Sequence, residues 1–579
     1  MGKKAVSIIV LMLVLLTIGM LSLAFKVQPV KSTWTGTVYI RADGSIDPPD
    51  APIQRNGDYY ALTGNITSDG DGIVIERSNI IIDGAGHMIR GIRKYPSAGI
   101  NLTGRTHIII ENINIQNFTS GIWLYNSSGN SINRNNITNN VDGIKFENSS
   151  NNTISGNNIV NNSEGIELNY ALNNTIYENN IRAASPKDGV VVHVGVSLYS
   201  SLHNNVSANI VTNNHWGVFL YNSSNNIFNG NNITANDEYG IYLRTNSSNN
   251  KFYGNNIINS WYGVEVDSSN NNTISKNNIM NGQLGIYMHS SDANVALGNL
   301  ITDNRNGIDV SYSSNNTILG NLITENEFGI VVRDSSSNNV IYGNNIINNT
   351  YAMQFWGLST CPSSNIIYHN NFINNPIQTE IFIGYDNIWD DGYPSGGNYW
   401  SDYNGVDHYR GPYQNETGSD GIGDTPYIID ENNIDHYPLM GLFNSFNISV
   451  GISVDVASNP TIEDFKYFES NNTIVMYISN MTANQTAGFC RLTIPHDVIS
   501  PPYTVKVNGT IVEYDIIYEN YTSRLSIIYF TYEHSKLEIT IIPEFPLTII
   551  LLTFLMLLTT PIIFTKKTPY KKNNKTPHF

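Results

Sequence analysis

One interval constrains this chain more than any other feature of it. A Gly followed by a β-branched residue recurs at Gly99, Gly121, Gly143, Gly165, Gly189, Gly217, Gly240, Gly263, Gly285, Gly307 and Gly329. The steps are 22, 22, 22, 24, 28, 23, 23, 22, 22 and 22 residues. A second marker, Asn before an apolar residue, keeps the beat at Asn136, Asn158, Asn180, Asn232, Asn256, Asn278, Asn299, Asn321 and Asn345. A fixed period of this size implies repeats that bury their apolar faces against one another.

Each unit, as in Gly263 to Asn281, holds three short apolar bursts closed by Asn or Gly. The bursts lack a helical period and favour β-branched residues, so they read as strands. Coiling three bursts per turn puts Ile166, Ile176 and Ile181 inside one rung, with identical rungs stacked on it. The strands must then be parallel, in a right-handed coil. Corner Asn residues take left-handed φ/ψ at low cost. Their side chains can also bond each other up the stack, which gives the abundant Asn a structural job. The uneven steps around Gly189 predict a loop bulging from the rungs at Arg182 to Asp188.

The predicted fold class is all-β: a right-handed parallel β-helix, a terminal cap, a small C-terminal β-sandwich and a C-terminal transmembrane helix. Met1 to Lys4 is a short basic start and Ala5 to Phe25 is apolar, so 1–30 reads as a signal peptide or signal anchor. Residues 31–97 read as an N-terminal cap with the first rungs, and 98–375 as the repeats. Residues 376–445 lose the period, turn rich in Gly, Tyr and Asp, and read as the cap that covers an open strand edge. Residues 446–542 alternate apolar and polar, with a hairpin turn at Asn508-Gly509, and predict a β-sandwich stalk. Within 543–565, Leu547 to Phe564 is uncharged and just long enough to span a bilayer. The tail at 566–579 carries Lys566, Lys567, Lys571, Lys572 and Lys575, which would stay in the cytoplasm and leave the body at the cell surface. Sequons such as Asn151, Asn271 and Asn315 lie in that exterior part.

The charge balance narrows the partners. The chain has 48 acidic and 31 basic residues, a net charge of −17. Nucleic acid is a poor partner for such a surface. Two cysteines, Cys361 and Cys490, exclude a disulfide framework and a cysteine-rich metal site.

Chemistry can be read from the columns that the period creates. After each marker Gly the next residue points in, the second out, the third in and the fourth out. The second positions are Trp123, Lys145, Glu167, Val191, Phe219, Tyr242, Glu265, Tyr287, Asp309 and Val331. The fourth are Tyr125, Glu147, Asn169, His193, Tyr221, Arg244, Asp267, His289, Ser311 and Arg333. One sheet face would thus carry Trp123, Tyr125, Phe219, Tyr221 and Tyr242, and further along Glu265, Asp267, Tyr287, His289 and Asp309. Exposed rings and carboxylates of this kind suit sugar binding. Glu265 and Asp309, two rungs apart, would also suit an inverting carboxylate pair. An ordinary solvated face is the competing reading. Asp420 to Asp424 is similar to Asp/Gly loops that bind calcium, though it lacks their full alternating carboxylate run and a plain Gly-rich turn is the leading reading. Copper would want clustered His, Met or Cys, and Met288-His289 is the nearest approach.

Two resemblances extend this. Asn151-Asn152-Thr153-Ile154-Ser155-Gly156-Asn157-Asn158-Ile159, with Asp71 to Arg77 and Ile80 to His87, resembles the NosD-like right-handed parallel β-helix family over about 60–440. That resemblance implies a periplasmic copper-binding or carbohydrate-active surface protein. Pro543-Glu544-Phe545-Pro546 resembles the PEF-type sorting signal of archaeal surface proteins. The elements of polygalacturonases and pectate lyases are not visible. The sequence therefore predicts a surface-anchored β-helix that binds polysaccharide or serves as an envelope structural or adhesive element. A surface polysaccharide lyase or glycoside hydrolase, and a NosD-like accessory in copper-enzyme maturation, are the alternatives.

Overall fold

The computed structural model describes residues 34–183, 192–357, 362–382, 386–479, 487–533 and 537–544. The signal region, the apolar span, the basic tail and Cys361 lie outside the described residues, as does most of the loop expected at 182–188. Among the described residues no helix is long and apolar enough to cross a membrane. The chain divides into two units, one comprising 1–366 with 372–387 and the other 367–371 with 388 onward.

The first unit is a right-handed parallel β-helix with three strands per coil. One repeat runs through the strands Asp142–Glu147, Thr153–Ser155 and Asn158–Asn162 before the next coil opens with Glu164–Asn169. The register follows the period, pairing Ile144 with Ile166, Ile154 with Ile176, and Ile159 with Ile181. These six Ile side chains are fully buried. Each is worth roughly 1.5–3 kcal/mol against exposure, so the stack is held by repetition of one modest contribution. The strands that contain the marker glycines all lie in one sheet of 16 strands. A Cβ on Gly263 would sit 2.5 Å from the carbonyl oxygen of Gly285 and 2.6 Å from Ile279 Cγ2, so a side chain there has no room.

Two expectations need correction. The marker of the irregular coil is Gly195 and not Gly189. Val194–Tyr199 pairs with Glu164–Asn169, placing Val196 beside Ile166. The outward residues of that coil are therefore Ser197 and Tyr199. His193 lies before the strand, and Val191 lies outside the described residues. The second correction concerns Asn278 alone, since other corner Asn residues, such as Asn271 (φ 59°) and Asn281 (φ 60°), do take left-handed φ. Asn278 opens the strand Asn278–Met280 and has no left-handed φ. The left-handed position is two residues earlier, at Lys276 (φ 52°), with Gly at the equivalent Gly254, Gly298 and Gly320. Between them lies the buried ladder. Asn255 N and Asn255 Nδ2 both donate to Asn277 Oδ1, and Asn277 in turn donates to Asn299 Oδ1. Two further Asn ladders run up the coil, for example Asn152 to Asn174 and Asn140 to Asn162. The Asn-before-apolar marker changes register between Asn278 and Asn299, from the strand residue to the ladder residue.

The second unit contains two five-stranded antiparallel sheets. One holds Leu442–Ser449, Ile452–Ser458, Ala487–Pro495, Leu525–Glu533 and Asp515–Asn520; the other holds Thr461–Phe468, Thr473–Ser479, Leu537–Pro543, Tyr503–Val507 and Thr510–Val512. Val454, Leu492 and Ile528 of the first sheet and Met476, Ile539 and Val505 of the second share one buried core. This is the sandwich arrangement expected from the alternating pattern. The hairpin turns at Asn508 and Gly509, both with positive φ. In the Gly/Tyr/Asp-rich segment, Trp389 and Trp400 are fully buried around Asp435, whose carboxylate accepts from Trp400 Nε1 at 2.8 Å.

Candidate functional site

The outward face of the 16-stranded sheet carries three columns of side chains. Two are those expected, at the second and fourth positions after each Gly. The third stands on the residue just before the Gly and includes Asp142, Glu164, Trp216, Tyr239, Tyr262 and Phe328. The sequence reading passed over this column because it followed the alternation only forward from the marker. The signal was present: these residues are polar or aromatic at a position where an interior residue would be aliphatic.

The added column changes the character of the face. Trp123 and Tyr125 lie together as expected, with ring centroids 5.7 Å apart. The Trp123 indole N–H is out of reach of solvent and has no hydrogen-bond partner among the described residues. Phe219 and Tyr242 were expected as exposed platforms, yet they are only 5% and 7% exposed. Trp216 packs on both, at 4.9 and 5.7 Å between centroids, and Tyr239 stacks on Tyr242 at 4.3 Å. Tyr221, one position further out, remains exposed. The aromatic stretch is therefore a packed layer with an open edge.

Carboxylates flank this layer on both sides. On the N-terminal side Lys145 Nζ lies 2.9 Å from Glu167 and 3.6 Å from Asp142. Ser197 Oγ donates to Glu164 at 2.5 Å. Burial, reinforced by the Glu167 charge, raises the Asp142 carboxyl to about 6 and that of Glu164 to about 7. On the C-terminal side burial and the neighbouring Asp267 raise Glu265 to about 7. Asp267 faces Arg244 at 4.0 Å. Tyr287 hydroxyl and His289 Nδ1 are 3.1 Å apart, and burial pushes the Tyr287 phenol up to about 12.

Glu265 and Asp309 share a column with Tyr287 between them. Both oxygens of Asp309 are engaged, one by Arg333 Nε at 2.8 Å and one by Asn306 Nδ2 at 2.8 Å. Asp309 is thus committed within the protein, while Glu265 and the group around Lys145 are themselves largely buried.

The two residues singled out for calcium lie in the second unit. Asp420 is buried and accepts from Ile422 N and Gln414 Nε2, and Asp424 accepts from His408 N and Tyr409 N. Both serve as backbone acceptors that shape their loop. For copper the nearest candidate is Met288-His289. Met288 is fully buried in the coil interior while His289 projects outward from the next position, so they cannot share an ion. Among the described residues no three His, Cys, Asp or Glu side chains are grouped so as to hold a metal.

The family model described as "Periplasmic copper-binding protein (NosD)" matches residues 65–261 and 256–405. The chain belongs to the NosD family. No curated protein matches its sequence. Solved structures similar to this NosD-family chain include the periplasmic alginate epimerase AlgG, at 14% identity over 58% of this chain and 79% of that one in its T-to-N variant, with a TM-score of 0.33. The A-module of the Azotobacter vinelandii mannuronan C-5 epimerase AlgE4 has 15% identity over 56% and 90%, with a TM-score of 0.36. The Dettilon tailspike protein has 13% identity over 82% and 87%, with a TM-score of 0.35.

Proposed function

We propose that this NosD-family chain is an exported, surface-anchored protein that binds polysaccharide along the outward face of its 16-stranded sheet. The observation that carries the reading is the continuous run on that face of packed aromatic rings with an open edge, bordered by carboxylates. Sugar rings offer apolar C–H faces to such rings and hydroxyls to such carboxylates. Export is supported by the basic-then-apolar start, by the lysine-flanked span at 547–564, and by the word "periplasmic" in the family description. Met288 and His289 do not fit copper, since one side chain points into the coil and the other out of it. The reading is tested by presenting a glycan array to the full chain and to Tyr221→Ala. Saturable binding that Tyr221→Ala weakens, with unfolding unchanged, supports it. Absence of binding to any glycan sinks it.

A second reading rests on one specific observation. Asp142 and Glu265 are buried and Glu164 half-buried, and the carboxyls of all three are raised toward neutral pH, as suits a general acid in sugar chemistry. Cleavage of a bound polysaccharide, followed by reducing-end or unsaturated-product assays and abolished in Glu265→Gln, would move the chain from binder to hydrolase or lyase.

A further inference from the structure

The last coils of the sheet hold a feature that the column reading did not anticipate. Arg333 is anchored by Asp309, and its guanidinium lies 5.4 Å from the Tyr287 ring centroid and 5.7 Å from that of Trp356. Its two terminal nitrogens have no protein partner among the described residues. Beside it opens a cavity of about 570 Å³, lined in part by Arg305, Phe328, Arg333, Gln354 and Trp356. That volume suits one or two sugar rings rather than an extended peptide.

The charges around the cavity select among ligands. Arg333 is matched by Asp309 at 2.8 Å, and Arg305 by Glu327 at 3.4 Å. Glu380 adds a further carboxylate, accepting from Gln354 Nε2 at 2.7 Å. With Glu327 and Glu380 just outside the lining, the two arginines are offset by three carboxylates, so the cavity and its immediate surroundings together carry no surplus positive charge, on a chain whose net charge is −17. An acidic polysaccharide would meet repulsion both at the cavity and on approach. A neutral sugar would meet fixed N–H donors on Arg333 and Gln354, carboxylate acceptors beside them, and the Trp356 and Phe328 rings for its C–H faces. Cation–π contact and the Asp309 bond hold the Arg333 plane before any ligand arrives, so little side-chain freedom remains to be lost on binding.

We infer that this cavity is a subsite for an uncharged hexose unit of a neutral polysaccharide. The inference rests on the polysaccharide-binding reading and names its ligand class. The test is titration calorimetry of the full chain with hexasaccharides of a β-glucan, a mannan and a galactan, and with hexagalacturonate. Wild type is compared with Trp356→Ala, Gln354→Ala and Tyr221→Ala, each checked by thermal melting. The expected result is binding of at least one neutral hexasaccharide, weakened about tenfold or more by Trp356→Ala and several-fold by Gln354→Ala. Hexagalacturonate is expected to bind at least tenfold more weakly. Tighter binding of hexagalacturonate overturns the inference. So does neutral binding that Tyr221→Ala weakens while Trp356→Ala and Gln354→Ala leave it unchanged, an outcome that preserves the broader reading. Should Trp356→Ala melt early, Gln354→Ala alone decides. If none of the four oligosaccharides binds, the subsite is refuted; the broader reading then falls only if the array is also blank.

Discussion

Along the strands of the 16-stranded sheet, the residues one and three places after each Gly face inward and scarcely vary. Ile122, Ile144, Ile166, Val196 and Val218 follow one another up one column, and all are buried. The residues two and four places on face outward and vary widely from coil to coil: Trp123, Lys145, Glu167, Ser197 and Phe219 in the first case. The two faces share one backbone and differ in what constrains them. An inward residue must match the coil above and below, so a change is felt twice. An outward residue answers to its neighbours and to whatever binds, so variation there carries information about ligands and repetition there would not.

That contrast can be broken at the ladder, where the largest effect is expected. Asn277→Val removes the acceptor for Asn255 N and Nδ2 and the donor to Phe252 O and Asn299 Oδ1. A buried polar group left without a partner costs about 1–3 kcal/mol. With several groups orphaned, a loss of about 3 kcal/mol is expected in the chemical denaturation of the coil unit. A shift below about 1 kcal/mol would mean that the ladder relaxes around a gap.

Gly263→Ala probes the other inward constraint. The new methyl meets backbone at Gly285, which cannot rotate aside. Overpacking of this kind costs about 1–3 kcal/mol. A midpoint unchanged from wild type would show that neighbouring coils can part enough to admit a Cβ.

The outward face should respond to pH. Glu265 is held above its ordinary value, mainly by burial and then by the Asp267 charge. Between about 4.5 and about 7 the folded chain holds this proton while the unfolded chain has lost it. The folded state then binds more protons, so stability falls as pH rises through that window. Glu265→Gln should flatten the fall by on the order of 1 kcal/mol. An identical slope in the variant would place the titration elsewhere, with Glu164 and Asp142 next in line.

The coils were legible because their cause is local: a missing Cβ every 22 residues leaves its mark on the sequence itself. The outward strip was legible in outline for the same reason, and Trp123, Tyr221, Glu265 and Tyr287 fall on the expected columns. What stayed hidden depends on contact between coils. The column before each Gly was invisible to a forward count, and with it the rings that bury Phe219 and Tyr242. The Arg333 cavity joins residues from five coils, and no spacing announces that Asp309 is spent on Arg333. The insertion before Gly195 hid its own register because Gly189-Val190 imitates the marker.

The smallest expected effect separates adjacent residues. Asn278 follows Asn277 directly, yet it sits at a strand start on the outer side of the ladder. Its Nδ2 donates to Asn256 Oδ1 at 2.8 Å, while its own Oδ1 is buried without a partner because Leu300 occupies the equivalent place in the next coil. Asn278→Val removes one bond to a partly exposed side chain and also removes an unsatisfied oxygen. It further places a β-branched residue in an extended conformation that suits it. These terms oppose one another, so the change in stability should stay within about 0.5 kcal/mol of wild type. Denaturation of Asn277→Val and Asn278→Val side by side tests the distinction directly. Equal losses would mean that the stack responds to any Asn in the corner and that the inward ladder has no special standing. A large loss from Asn277→Val beside a negligible one from Asn278→Val would show that the period protects hydrogen-bond geometry, not residue type.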